Sequence, residues 1–392
     1  MQTYSDEEAR REAAAENLAR RKQELRRKKQ KKRKRLRAFI MLGLILIVTL
    51  VLIIGCTGIA RITARKIAES KAAAEAAEAA ERENIVMGLK GSQVQLVLAG
   101  EPYIENGAFA IDKRSGAIPS DEITAEGKVD TSAPGDYTVT YSIKSNGVRI
   151  ETERTVRVLT EEEFGDKASN VPVMMYHWVY TANDIPDNLD GNWIEDTVLA
   201  EQMAYLRDNS FYYPGWKELR AWIDDEISLP AKCIVVTFDD GKKAFLKYGI
   251  PVMEQYQVPA TSFMIGWEKN DGEKKIKEYA SPYIDFESHT YAMHQKAVPH
   301  VSGHKGIVAV MSTDEIKEDL AKAAELTGSN DALAYPYGDY TENMLEAVRD
   351  RGILCAFTVD YDRVRKGMDP AKLPRIRVLG TESFQTWKNS VN

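Results

Sequence analysis

Residues 38–60 (AFIMLGLILIVTLVLIIGCTGIA) are 23 consecutive positions without a charged side chain, the tightest constraint the chain places on its own folding. As a helix this run is about 35 Å long, against a bilayer hydrocarbon core of about 30 Å. A buried helix of that length in a globular protein carries a polar stripe, and this one has none. Thirteen Lys/Arg between Arg20 and Arg37 abut its N-terminal end. Such charge is retained on the cytoplasmic side. Residues 1–37 are therefore expected to be a basic cytoplasmic tail, 38–60 a single transmembrane helix, and the remainder an extracellular body. Attraction to an anionic membrane surface explains a basic run in this position better than nucleic acid does. Ile53-Ile54-Gly55-Cys56 also resembles a lipoprotein cleavage box with Cys56 as the lipidated residue; either reading leaves the body outside.

The charge balance agrees. The first 37 residues hold 15 Lys/Arg against 6 Asp/Glu, so of the net charge of −6 the rest carries −15. A basic head on an acidic body argues against nucleic acid as a partner of the folded part. Cys56, Cys233 and Cys355 show no metal-binding spacing and no disulfide framework; Cys233 and Cys355 lie in strand-like runs and read as buried, inert thiols.

Residues 61–84 are rich in Ala, Glu and Lys without Gly or Pro, which suits a solvated helical stalk. From 85 to 160 the pattern changes to short period-two runs (93–98, 137–143, 154–158) broken at Gly100, Asn106-Gly107, Pro134-Gly135 and Asn146-Gly147. That predicts a small all-β sandwich. The stretch GAFAIDKRSGAI…GKVDTSAPGDYTVTYSI…RTVRV resembles the immunoglobulin-like domains of bacterial surface proteins. It carries no catalytic constellation and is expected to be a spacer, with carbohydrate binding as the alternative.

Residues 170–392 alternate strand-like and helical segments. Strand-like runs fall at 171–176, 233–238, 260–265, 283–287, 332–335, 354–359 and 376–379. Helices are predicted at 197–208, 241–256, 313–326 (opened by the capping box Ser312-x-x-Glu315) and 341–351. This is an α/β pattern, a parallel barrel or open sheet. His177 follows VPVMMY, Asp239-Asp240 follow CIVVTF, His289 follows YIDFES, and Tyr337 follows ALAYP. Each stands just past the C-terminal end of a predicted strand, the rim at which parallel α/β folds bind ligands.

Adjacent aspartates point to opposite faces of a strand unless the strand ends there, and Gly241 permits that break. Two carboxylates at one spot repel unless a cation or shared proton relieves them; alone, the motif also fits an exposed turn. His289 and His294 are five apart, about 140° around a helix, so they are no helical zinc pair. From a strand end and a tight loop they converge on one ion, and with a carboxylate form a two-His-one-Asp set that leaves positions for water and substrate. As an isolated pair they equally fit surface histidines.

TFDDG followed by SHTYAMH resembles the polysaccharide deacetylase family, also called the NodB homology or carbohydrate esterase 4 group, over residues 171–391. The five-residue histidine spacing and the Tyr176-His177 dipeptide after the first strand are similar to the poly-β-1,6-N-acetylglucosamine deacetylases. The resemblance implies a distorted (β/α) barrel of the NodB type, with Asp240, His289 and His294 binding a divalent metal and Asp239 as catalytic base. It implies His177 as the acid, in place of the family's C-terminal Leu-x-His, since no histidine follows His304. Tyr337, in Ala334-Tyr-Pro-Tyr-Gly338, would line the site and offer its backbone N–H to the oxyanion. The family's arginine is replaced by Ala334, so Arg375 or Arg377 would orient Asp239, with Arg375 preferred. Zinc fits the ligand set, as would nickel, cobalt or iron.

The expected activity is hydrolysis of N-acetyl groups on an extracellular amino-sugar polymer, cell-wall glycan or poly-N-acetylglucosamine, releasing acetate. An O-acetyl esterase of the same fold and an inactive carbohydrate-binding surface protein are the alternatives. Trp178, Tyr180 and Trp193 frame the loop 180–196 and suit either sugar stacking or packing; His300 and His304 are rival ligands. No phosphate-binding Gly-rich loop and no GxSxG elbow occur.

Overall fold

The computed structural model describes residues 3–267 and 271–392. One uninterrupted helix, Thr3–Asn84, contains the basic tail, the uncharged run and the Ala/Glu/Lys segment. It is long and apolar enough to cross a membrane. Its apolar side chains between 38 and 60 are exposed, Phe39 at 79%. Water disfavours such a surface by about 25 cal/mol per Å², and hydrocarbon does not.

Residues 78–392 form a compact unit of their own. Its first part has seven strands: β1 (Ile85–Leu89), β2 (Val94–Leu98), β3 (Ala108–Asp112), β4 (Gly116–Ile118), β5 (Thr124–Glu126), β6 (Gly135–Ser145) and β7 (Val148–Leu159). They make two sheets, β1-β3-β4 and β2-β7-β6-β5, with β2 parallel to β7 and the other pairs antiparallel. Val97, Val139, Tyr141, Val156 and Val158 fill the space between. The β6–β7 turn is Asn146-Gly147, both at positive φ (48° and 82°), as the tight hairpin turn requires.

The second part is α/β. Its strands are β8 (Val173–Tyr176), β9 (Trp178–Tyr180), β10 (Trp193–Glu195), β11 (Val235–Phe238), β12 (Ala260–Met264), β13 (Ile284–Ser288), β14 (Ala332–Ala334), β15 (Cys355–Tyr361) and β16 (Leu373–Arg377). Seven of them close into a parallel ring in the order β11-β12-β13-β14-β15-β16-β8. Ring strands are covered on both faces, which is why their sequences read as near-continuous apolar runs.

The structure departs from the periodicity at three places. The last ring strand, Leu373–Arg377, starts three residues before the expected run 376–379 and overlaps it at Ile376 and Arg377, with Pro374 inside it. The helix expected from Gly241 starts later, as a π-helical turn, Phe245–Gly249, that runs directly into a short α-helix, Ile250–Tyr256. The loop 180–196 is bounded by β9 and β10, which pair in parallel with Trp193 opposite Trp178. Helices Trp216–Ile223, Gly272–Glu278 and Phe384–Val391 were not legible as periodic segments.

Candidate active site

Three residues at the C-terminal ends of ring strands adopt left-handed backbone conformations: Asp240 (φ 73°), Thr290 (φ 67°) and Tyr337 (φ 61°). Such conformations cost a non-glycine residue on the order of 1–3 kcal/mol and persist where the surroundings impose them. After Asp240 the chain turns again through Gly241 (φ 54°), where a Cβ would stand 2.4 Å from the Met264 sulfur. Only glycine fits. The double turn ends β11 so that the two neighbouring carboxylates reach one site.

Asp240, His289 and His294 meet there. Each histidine Nε2 lies 3.5 Å from Asp240 Oδ1, and they are a metal-capable cluster among the described residues. Two donors on adjacent corners of a tetrahedral ion, at metal–ligand lengths of about 2.1 Å, stand about 3.4 Å apart. The donor set fits a divalent ion. The His289 Nδ1–H donates to the Ala334 carbonyl at 2.7 Å, which turns Nε2 toward Asp240. Trp178 Nε1–H donates to Asp240 Oδ2 at 2.9 Å. Between the histidines, the Tyr291 and Ala292 N–H groups both donate to Asp319, each at 2.7 Å, which shapes the five-residue spacing.

Asp239 is buried and forked by Arg375, with both guanidinium–carboxylate contacts at 2.7 Å. Burial opposes its charge, but Arg375 outweighs burial and holds the carboxyl below the usual carboxylate range. Arg377 is exposed and donates to Asn192 instead. His177 belongs to the same cluster: Asp239, Asp240, Arg375 and His289 all act on its charge. Burial leads in lowering its pKa, and the two carboxylates oppose that. Its Nδ1 is buried without a hydrogen-bond partner. The Tyr337 ring packs 4.5 Å from that of His294.

The structure keeps other expected candidates apart from this cluster. His304 Nδ1 pairs with Asp339 Oδ1 at 2.6 Å, and Asp339 Oδ2 accepts from the Lys305 and Gly306 N–H groups. His300 is exposed. The face of Trp178 lies beneath Lys242, 3.2 Å from the ring centroid, and its edge meets Trp193. Packing rather than an open stacking platform therefore describes this indole. Cys233 and Cys355 are buried, and burial pushes the Cys233 thiol up to about 12.

A family model described as polysaccharide deacetylase matches residues 226–356, which include Asp239, Asp240, His289, His294 and Tyr337. The chain carries a polysaccharide deacetylase domain. A second model, the immunoglobulin-like domain of bacterial surface proteins, matches residues 87–158. The poly-β-1,6-N-acetyl-D-glucosamine N-deacetylase of Staphylococcus epidermidis is 26% identical over 208 residues, covering 49% of this chain and 70% of that one. Its counterpart in Staphylococcus aureus strain MRSA252 is 24% identical over 207 residues, covering 49% and 69%. Among solved structures, the Streptococcus pyogenes deacetylase PplD in complex with acetate matches with a TM-score of 0.47 at 20% identity, covering 57% of this chain and 98% of that one.

Proton bookkeeping gives the deacetylase domain a testable metal affinity. Burial opposes charge on both imidazoles of this donor set. At His289 the Asp240 and Asp239 carboxylates together outweigh burial and raise the pKa, whereas His294, half-buried and facing His289, is pushed down to about 4. A proton on His289 therefore competes with a metal ion. Zinc affinity is expected to rise by about tenfold per pH unit below the His289 pKa, with about one proton released per ion there, and to level off above it, where none is released. Calorimetric titration in buffers of different ionisation enthalpy measures that proton directly.

Proposed function

We propose that this chain is a metal-dependent hydrolase that removes N-acetyl groups from an extracellular amino-sugar polymer, wall glycan or a poly-N-acetylglucosamine-like glycan, releasing acetate. One observation carries the reading: the Asp240–His289–His294 donor set stands beside a carboxylate forked by a buried arginine and a histidine with a free ring nitrogen.

A divalent ion, zinc by the ligand set, would supply Lewis acidity toward the acetyl carbonyl and make the attacking water more acidic. Asp239 takes the proton of that water as it attacks. Its low pKa keeps it ionised, and Arg375 fixes its two oxygens in one plane. The Tyr337 backbone N–H accommodates negative charge as it grows on the carbonyl oxygen. An amide nitrogen leaves poorly unless protonated, so His177 donates a proton to it as the C–N bond breaks. A depressed pKa makes His177 a strong donor, and the neighbouring carboxylates help it hold the proton beforehand. Acetate and a free amine result.

The amino-sugar substrate is supported by the names of the staphylococcal relatives. The exposed apolar run at 38–60 and the basic residues before it support a membrane-tethered protein with residues 1–37 in the cytoplasm, 85–160 as the immunoglobulin-like domain and 170–392 as the catalytic domain, both outside. The zinc-loaded full-length chain in detergent is expected to release acetate from chitooligomers or poly-N-acetylglucosamine fragments and not from acetylated xylan, with chelation abolishing release. Acetate from xylan alone assigns an O-acetyl esterase, and stoichiometric zinc without acetate from any of the three rejects the reading.

A further inference from the structure

The residue after β1 is Lys90, and its side chain leaves the sandwich to end among acids of the ring. Its ammonium lies 2.6 Å from Asp331 Oδ2, 2.7 Å from Ser329 Oγ, 3.2 Å from Glu287 Oε1 and 3.9 Å from Asp285 Oδ2. Lys90 is 3% exposed and Glu287 0%. Among the described residues, no other cation pairs with any of these three carboxylates. Asp285 and Glu287 sit two apart on β13, on the face opposite Ile284 and Phe286, which join the apolar core. The next residue of that alternation is His289.

The sandwich holds Lys90 firmly. Arg154, fully buried on β7, donates to the Lys90 carbonyl at 2.7 Å. On either side of Lys90, glycines let backbone meet backbone: a Cβ at Gly88 would lie 2.4 Å from the Pro282 carbonyl oxygen, and one at Gly91 (φ 84°) would lie 2.6 Å from the Gly215 nitrogen. Glu287 is further tied by Ser329 Oγ at 2.5 Å and the Ala332 N–H at 3.1 Å, so its carboxylate links β13 to the start of β14, the strand whose Ala334 carbonyl orients His289. Removing one partner of such a buried pair leaves an uncompensated charge that the surroundings must move to hydrate.

We propose that the immunoglobulin-like sandwich is a working part of the catalytic unit rather than a spacer, with Lys90 as a positioning residue that holds β13 and β14 in the register that aims His289 at the metal. This rests on the metal-site reading above, and a metal titration tests it without reference to substrate. In the full-length chain Lys90→Met is expected to raise the zinc Kd by about 10–100-fold, the range seen when groups that orient metal ligands are lost. The charge-matched double variant Lys90→Met/Glu287→Gln is expected to recover to within about threefold of the parent, because no extra anion is left buried.

A folded Lys90→Met protein with the parent's zinc Kd overturns the proposal. If Lys90→Met does not fold, the double variant decides: recovery of a cooperative melt together with the parent's zinc Kd supports the proposal, and failure of either overturns it. Because the readout is zinc, a parent that binds the ion yet releases no acetate would reject the deacetylase reading while leaving Lys90 judged on its own result.

Discussion

Asp240→Asn is expected to remove stoichiometric zinc from the full-length chain and to lower acetate release by on the order of 10³–10⁴-fold, since a catalytic ion stabilises the transition state by several kcal/mol. The substitution keeps the volume and still offers Trp178 an oxygen acceptor, so it isolates the charge. It is the shared neighbour of both imidazoles: Asp240 Oδ1 is 3.5 Å from each Nε2. Without it, two neutral rings remain to hold a dication. The variant also loses a carboxylate that raises the His289 pKa, so that ring's pKa should fall. Metal analysis after gel filtration, with acetate release on the same sample, checks both parts. Retention of one zinc per chain with undiminished acetate release would remove Asp240 from the site.

How much of this was visible in the sequence depends on the kind of constraint. The α/β alternation and the rim positions of His177, Asp239, Asp240, His289 and Tyr337 were legible because a ring strand must be apolar on both faces, leaving polar residues to gather where strands end. Arg375 and Arg377 are of the same parity, so periodicity gave no support to the preference for Arg375. The structure separates them because Arg375 pairs across the ring with Asp239, while Arg377 lies at the end of its strand, facing solvent.

Asp319 was missed inside TDEIKEDLAK, which reads as a charged helix face. The available signal was its spacing: three after Ile316 and four before Ala323, it lies on the buried side of the helix Thr313–Thr327. Lys90 had no such signal. Its partners are roughly 200 residues away in sequence, and nothing local marks a lysine that will be buried by another domain. The same holds for Ala334, whose contribution is a backbone carbonyl available from any residue type.

Arg375→Met should be the most destabilising single change at the site. Both partners are buried, and removing the guanidinium leaves Asp239 as an unpaired anion, a loss of about 3–5 kcal/mol. The pH dependence should invert as well. In the parent the Asp239 pKa is depressed in the folded state, so the pair's stabilisation is present above the unfolded carboxyl pKa and lost as pH falls below it. In the variant, burial acts unopposed by Arg375 and raises the folded pKa above the unfolded one. Stability is then greatest in acid and declines as pH rises through the unfolded pKa toward the folded one. Denaturant midpoints of parent and variant between about pH 3 and 8, a range that brackets the ordinary Asp value of about 3.9, resolve opposite slopes. Arg375→Met/Asp239→Asn should regain most of the stability, because neither charge remains, yet stay inactive for want of a base. That separation of stability from turnover distinguishes an arginine that orients a catalytic carboxylate from one that merely fills the ring. A double variant that recovered acetate release along with its midpoint would take the proton-accepting role away from Asp239.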